Sequence, residues 1–116
     1  MLWVSYGKVS KEGMKGMLTN PQNREAAVSK LVEGLGGKLI SYYMLLNGDM
    51  DFIIITDFPT EKFEENLLIN SMLVRGSGAI KSVATVPAMR AADAVGQMKK
   101  AQKMASAMLY DAPSKA

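Results

Sequence analysis

Neither cysteine nor histidine occurs anywhere in the 116 residues. Without cysteine there is no disulfide framework, no thiolate nucleophile and no sulfur metal site. Without histidine the usual zinc and haem ligands, the Ser-His and Cys-His nucleophile pairs and the commonest proton carrier near neutral pH are gone as well. An enzyme built on this chain has only Asp, Glu, Lys, Tyr or an imported cofactor to work with, and no catalytic residue, metal ligand or cofactor is assigned from the sequence. Long apolar runs are also missing, since nothing approaches the roughly 20 apolar residues that span a bilayer. Met1 to Lys8 carries no basic region followed by a long apolar segment, so the expected compartment is the cytoplasm.

What is present suits one folded domain. The apolar fraction of 48% and charged fraction of 22% are ordinary for a globular chain, and a chain of this length buries roughly two-thirds of the surface it exposes unfolded. Before residue 88 nine Lys or Arg balance nine Asp or Glu, so the net charge of +3 comes wholly from the last segment, where Arg90, Lys99, Lys100, Lys103 and Lys115 face Asp93 and Asp111.

Leu2 to Val9 alternates Leu2, Val4 and Tyr6 with Trp3, Ser5 and Gly7, the period of a strand. Lys11 to Asn20 is rich in Lys and Gly and reads as a connecting loop with at most a short helical turn. Asn20 is suited to cap a helix that Pro21 begins, with Ala27, Val28, Leu31, Val32 and Leu35 as its buried stripe and Gly36-Gly37 as its stop. Two β-favouring runs then flank a compact Asn47-Gly48-Asp49-Met50 turn and predict a hairpin. A second helix is expected from Pro59, with Glu61, Glu64 and Glu65 near its positive end and Phe63, Leu67, Leu68, Met72, Leu73 and Val74 along it, stopping at Gly76-Ser77-Gly78. Ala79 to Pro87 alternates again and gives a fourth strand that Pro87 ends.

The order β-α-β-β-α-β is that of an α+β ferredoxin-like sandwich, with both crossover helices on one face of a four-stranded antiparallel sheet. Both hairpin runs are apolar on both faces: Ile40, Tyr42 and Met44 back onto Leu39, Tyr43 and Leu45, while Ile53 and Ile55 back onto Phe52 and Ile54. Neither face suits water, so the chain is expected to oligomerise through the sheet face its helices leave bare, as a homodimer or a larger ring. Residues 1–88 form the sandwich and 89–116 a basic tail. There Met89 to Tyr110 predicts an amphipathic helix with Ala91, Ala94, Val95, Met98, Ala101, Gln102, Ala105, Met108 and Leu109 on one stripe. Its small and thioether side chains favour packing on protein over a membrane surface.

Six segments in this order, Tyr6-Gly7-Lys8, Glu12-Gly13-Met14-Lys15-Gly16, Asn23-Arg24-Glu25-Ala26, Gly36-Gly37-Lys38-Leu39, Gly48-Asp49-Met50-Asp51-Phe52 and Asp57-Phe58-Pro59, give the chain a family likeness. Over residues 1–88 it resembles the GYD domain proteins, small bacterial proteins named for a Gly-Tyr-Asp signature. Met50 stands where that signature has Tyr, while Gly48 and Asp51 remain. The resemblance implies a ferredoxin-like fold of the dimeric α+β barrel kind and no particular activity.

Trp3, Tyr6, Tyr42 and Tyr43 are candidates to line an apolar cavity between the sheet and its partner, with phenolic tips for hydrogen bonding, and the plainer reading is that they fill the oligomer core. Asp49 and Asp51, two positions apart, could form an acid-base pair, but service to the turn and to the strand start is the favoured reading. Arg75 and Arg90 are candidates to hold an anionic group at a pocket rim, against plain solvation. RNA binding is disfavoured, because Asp51 to Phe58 lacks the basic, glycine-rich RNA-reading pattern and carries two acids that repel phosphate.

The leading expectation is a non-catalytic oligomer that binds or senses a small apolar or aromatic ligand, with no nucleic-acid or membrane partner. One alternative is a cofactor-independent monooxygenase or isomerase on an aromatic or polyketide-like substrate, needing a closed pocket reached by Trp3, Tyr42 or Asp51. Another is a structural protein that engages a partner through its carboxy-terminal helix.

Overall fold

The alternation of Leu2–Val9 produces strand β1, which lies inside the sheet with β3 on one side and β4 on the other. The computed structural model describes residues 1–107 and Pro113. Its strands are β1, β2 (Lys38–Met44), β3 (Phe52–Asp57) and β4 (Ile80–Ala88), all paired antiparallel in the order β2-β3-β1-β4. Its helices are α1 (Lys11–Thr19), α2 (Arg24–Gly34), α3 (Phe63–Gly76) and α4 (Val95–Ser106), the last preceded by a 3₁₀ turn at Ala91–Ala94. This is the expected α+β class, and the strand order is compatible with a ferredoxin-like fold. Of the hairpin strands only β3 is central; β2 forms an edge.

Register fixes the faces. Trp3, Ser5 and Gly7 of β1 oppose Thr56, Ile54 and Phe52 of β3, and Pro87, Thr85 and Val83 of β4. Trp3 stacks on Phe63 of α3 with ring centroids 6.4 Å apart, so this is the helix-covered face. Leu2, Val4, Tyr6, Ile53, Ile55, Tyr43, Ala84 and Val86 fall on the other by strand alternation.

Several local expectations shift. Lys11–Thr19 is a helix, despite two glycines, because Ser10 Oγ accepts a bond from Gly13 N–H at 3.0 Å and donates one to Gly78 O at 2.6 Å. That double role caps α1 and pins it to the α3–β4 connection. Asn20 therefore closes α1, its N–H donating to Gly16 O, and Asn23 caps α2 by accepting from Glu25 N–H. Pro21 lies in the linker. α3 starts at Phe63 rather than Pro59, behind a left-handed Lys62 (φ 60°), leaving Glu61 outside. The hairpin loop is wider than a four-residue turn: Leu45 N–H donates to Asp51 O across it, and Asn47 supplies the positive φ. Pro87 lies inside β4 instead of ending it, which the edge position permits. Gly36 stops α2 as expected, at φ 83°. Met108, Leu109 and Tyr110 of the expected tail helix lie outside the described residues.

The interior is thin. Trp3, Val32 and Phe52 are the buried apolar residues among those described, and none of the described side chains is completely enclosed. The Cα radius of gyration is 18.3 Å, against about 13 Å for a globular chain of this length. α4 accounts for much of the excess, since each of its residues is exposed.

Gly13 and Gly16 test the docking of α1. A Cβ on Gly13 collides with the Ala79 carbonyl, whereas one on Gly16 meets nothing. Gly16→Ala is expected to stabilise by up to ~1 kcal/mol through helix propensity. Gly13→Ala should destabilise by about 1–3 kcal/mol because backbone cannot yield as a side chain does. Denaturant unfolding that shows equal gains at both sites would contradict the observed approach of α1 to the α3–β4 connection.

Candidate functional site

The inward face of the sheet is less apolar than a packed core requires. β1 presents Ser5 and β4 presents Thr85 there, and the two hydroxyls hydrogen-bond to each other at 2.9 Å. α3 turns Asn66 and Asn70 inward, one helical turn apart. Asn66 Nδ2 donates to Leu35 O at 3.1 Å and ties α3 to the end of α2. Small polar groups at these positions leave the helix layer standing off the sheet.

The result is a partly open cleft of about 1210 Å³ between the sheet and α1, α2 and α3, larger than the ~300–1,000 Å³ usual for small-molecule sites. Apolar walls come from Phe52 and Ile54 of β3, Val28 and Leu31 of α2, and Leu67 and Val74 of α3. Polar side chains line it as well: Gln22, Glu64, Ser71 and Ser77, Arg24 and Tyr42 at one side, Arg75 and Glu12 at the other, and Ser5, Asn70 and Thr85 in between. These last three, with Leu67, also border a much smaller pocket holding Trp3, Phe58 and Phe63. A hydrogen-bonding cluster thus stands between an apolar cleft and an aromatic recess.

The six residues singled out from the sequence divide between locations. Tyr42 is on the cleft wall, Arg75 borders the cleft and donates to Val83 O at 3.2 Å, and Trp3 occupies the small recess next door. Tyr6 and Tyr43 lie on the opposite face of the sheet, so the four aromatics do not line one cavity. Asp51 sits at the end of β3, where its Oδ2 accepts from Val9 N–H at 2.9 Å and its N–H donates to Gly7 O at 2.7 Å. It serves the irregularity in the β1–β4 register at Lys8/Val9. Asp49 stays in the exposed hairpin loop, its carbonyl accepting from Lys8 Nζ. Ser5, Arg24, Asn70 and Thr85 were missed. Their signal was the polar residue at an inward strand phase, Ser5 between Trp3 and Gly7.

Burial pushes the Tyr42 phenol above its ordinary value of 10.0, and the positive charge of Arg24 opposes that rise without cancelling it. The native chain therefore holds this proton more tightly than the unfolded chain. Its contribution to stability is complete below pH 10 and is lost as pH rises through the raised native value. Above pH 10 the melting temperature of the native sequence is expected to fall more steeply than that of Tyr42→Phe, and parallel curves would contradict a desolvated phenol.

Among the described residues no helix is long and apolar enough to cross a membrane. No curated protein matches the chain. The sequence model of the GYD domain matches residues 3–106. That span takes in all four strands and all four helices, α4 included, and the chain belongs to the GYD domain family.

Proposed function

We propose that the chain is a non-catalytic small-ligand-binding protein whose site is the cleft between the sheet and its own helices. The observation that carries this reading is the cleft itself: apolar walls, a separate cluster of Ser5, Asn70 and Thr85, and Arg24 beside the half-buried Tyr42 phenol. Such a site suits a largely apolar or aromatic molecule bearing one hydrogen-bonding or anionic group. A monooxygenase or isomerase is less well supported, because Asp51 is engaged with the Val9 and Gly7 backbone rather than with the cleft.

Anilinonaphthalene sulfonate, an aromatic anion, is a suitable probe. Its fluorescence is expected to rise on binding, with energy transfer from Trp3, the single tryptophan. Val28→Trp would fill the cleft and should weaken binding by at least about tenfold, or 1.4 kcal/mol. Unchanged affinity in that variant would overturn the assignment.

We further propose that a second copy covers the outer face of the sheet. Tyr43 is 59% and Val86 41% exposed there, beside Leu2, Val4, Tyr6, Ile53 and Ile55. A contiguous apolar face of this kind supports self-association across a two-fold axis. Val86→Lys is expected to raise the dimer dissociation constant by at least about tenfold in light scattering over a dilution series. A native chain that stays monomeric at every concentration would overturn this second proposal.

A further inference from the structure

The floor of the cleft carries a row of side chains that runs across the strands. Tyr42 of β2 pairs with Ile54 of β3, Ile54 with Ser5 of β1, and Ser5 with Thr85 of β4, and all of them line the cleft. Neighbouring strands lie about 4.8 Å apart, so at the backbone Tyr42 stands roughly 10 Å from Ser5 and roughly 14 Å from Thr85. The row is polar at both ends and apolar at Ile54.

Arg24 completes one end. It opens α2 and is half-buried, and among the described residues no carboxylate lies within ion-pair distance of it. A partly desolvated guanidinium without a counter-charge is an unfavourable arrangement that a bound anion relieves. Its Nη1 donates to Gln22 Oε1 at 3.0 Å, which leaves the Nε and Nη2 edge, the edge that grips a carboxylate through two parallel bonds. The Tyr42 phenol, whose proton burial holds more tightly than usual, supplies a third donor on the same side of the cleft. The acids on the cleft lining stand elsewhere. Glu12 lies in the first turn of α1, which Ser10 pins to the α3–β4 connection, and Glu64 lies in the first turn of α3, next to the Trp3 recess. The other guanidinium, Arg75, is already engaged with Val83 O.

The far end of the row is built for a neutral oxygen. The Ser5 and Thr85 hydroxyls share one proton in their 2.9 Å bond, so the second proton and the remaining lone pairs stay open to a ligand. Asn70 borders the same place from α3.

We propose that the ligand of the cleft is an aromatic carboxylate carrying a hydroxyl or carbonyl oxygen about 10 Å from its acid group, laid across the strands with the acid on Arg24 and Tyr42 and the oxygen at Ser5, Thr85 and Asn70. This rests on the cleft reading and adds to it a head group, a direction and a length. Ile54 lies beneath the apolar middle of the ligand, and Val28 and Leu31 of α2 flank it.

Calorimetric titration of the full-length chain with a set of biphenyls tests this. One bears a carboxylate at one para end and a hydroxyl at the other, at about that separation; a second lacks the hydroxyl and a third lacks the acid. The first is expected to bind at least about tenfold more tightly than the acid-free probe and severalfold more tightly than the hydroxyl-free one. Arg24→Met should abolish the advantage of the acid, whereas Lys30→Met, which removes an exposed cation of the same helix outside the cleft, should preserve it. Thr85→Val should abolish the advantage of the hydroxyl and leave that of the acid. Equal binding of all the probes, blocked in each case by Val28→Trp, overturns the inference and leaves the cleft reading standing. An acid advantage that survives Arg24→Met, or a hydroxyl that adds nothing, overturns it as well. A native chain that binds none of the probes overturns the cleft reading together with this one.

Discussion

A four-stranded sheet has two faces, and among the described residues α1, α2 and α3 roof one of them. That constraint governs the molecule. With α1, α2 and α3 all on the side of Trp3 and Phe52, the side of Val4, Tyr6 and Ile55 keeps its apolar residues without cover from those helices. Burial of apolar area is the main favourable contribution to folding, at about 25 cal/mol per Å², so a large uncovered face is a deficit that association can remedy. The same shortage operates inside, where the helix layer is held off the sheet by hydroxyl and amide side chains and leaves a cleft instead of a close-packed core.

The architecture was legible in the sequence because its punctuation is strong. Alternation marked β1 and β4, and Gly36 with its positive φ stopped α2 as the Gly-Gly pair announced. The starts of helices were less legible for identifiable reasons. Asn20 and Asn23 are both competent caps three residues apart, and only the length of α1 assigns one to each helix. α1 itself, with Gly13 and Gly16, is weak by local propensity and is held by Ser10 reaching across to Gly78 and Ala79, a contact between residues distant in sequence. Nothing local marks Lys62 as the left-handed residue that delays α3.

The site was only half legible. Tyr42 and Trp3 can be singled out as aromatics, but a strand apolar on both sides conceals which phase faces the helices, so Tyr6 and Tyr43 looked equivalent to them. The expected cavity lay between sheet and partner, and the cleft between sheet and helices was not foreseen. A void reflects how far two layers stand apart, and that distance depends on side chains contributed by several elements at once. Asp51 shows the opposite case: its pairing with Val9 follows the modest expectation of a carboxylate tending nearby backbone N–H groups.

The two rims of the sheet are both spoiled for further pairing. On β4 the ring of Pro87 removes a donor, and on β2 the register breaks around Ile40, between Leu39 and Ser41. Sideways stacking of strands from neighbouring molecules, the route by which flat sheets grow into fibrils, is thereby obstructed at both margins. A chain with this much unshielded apolar surface thereby carries built-in resistance to growing into endless ribbons.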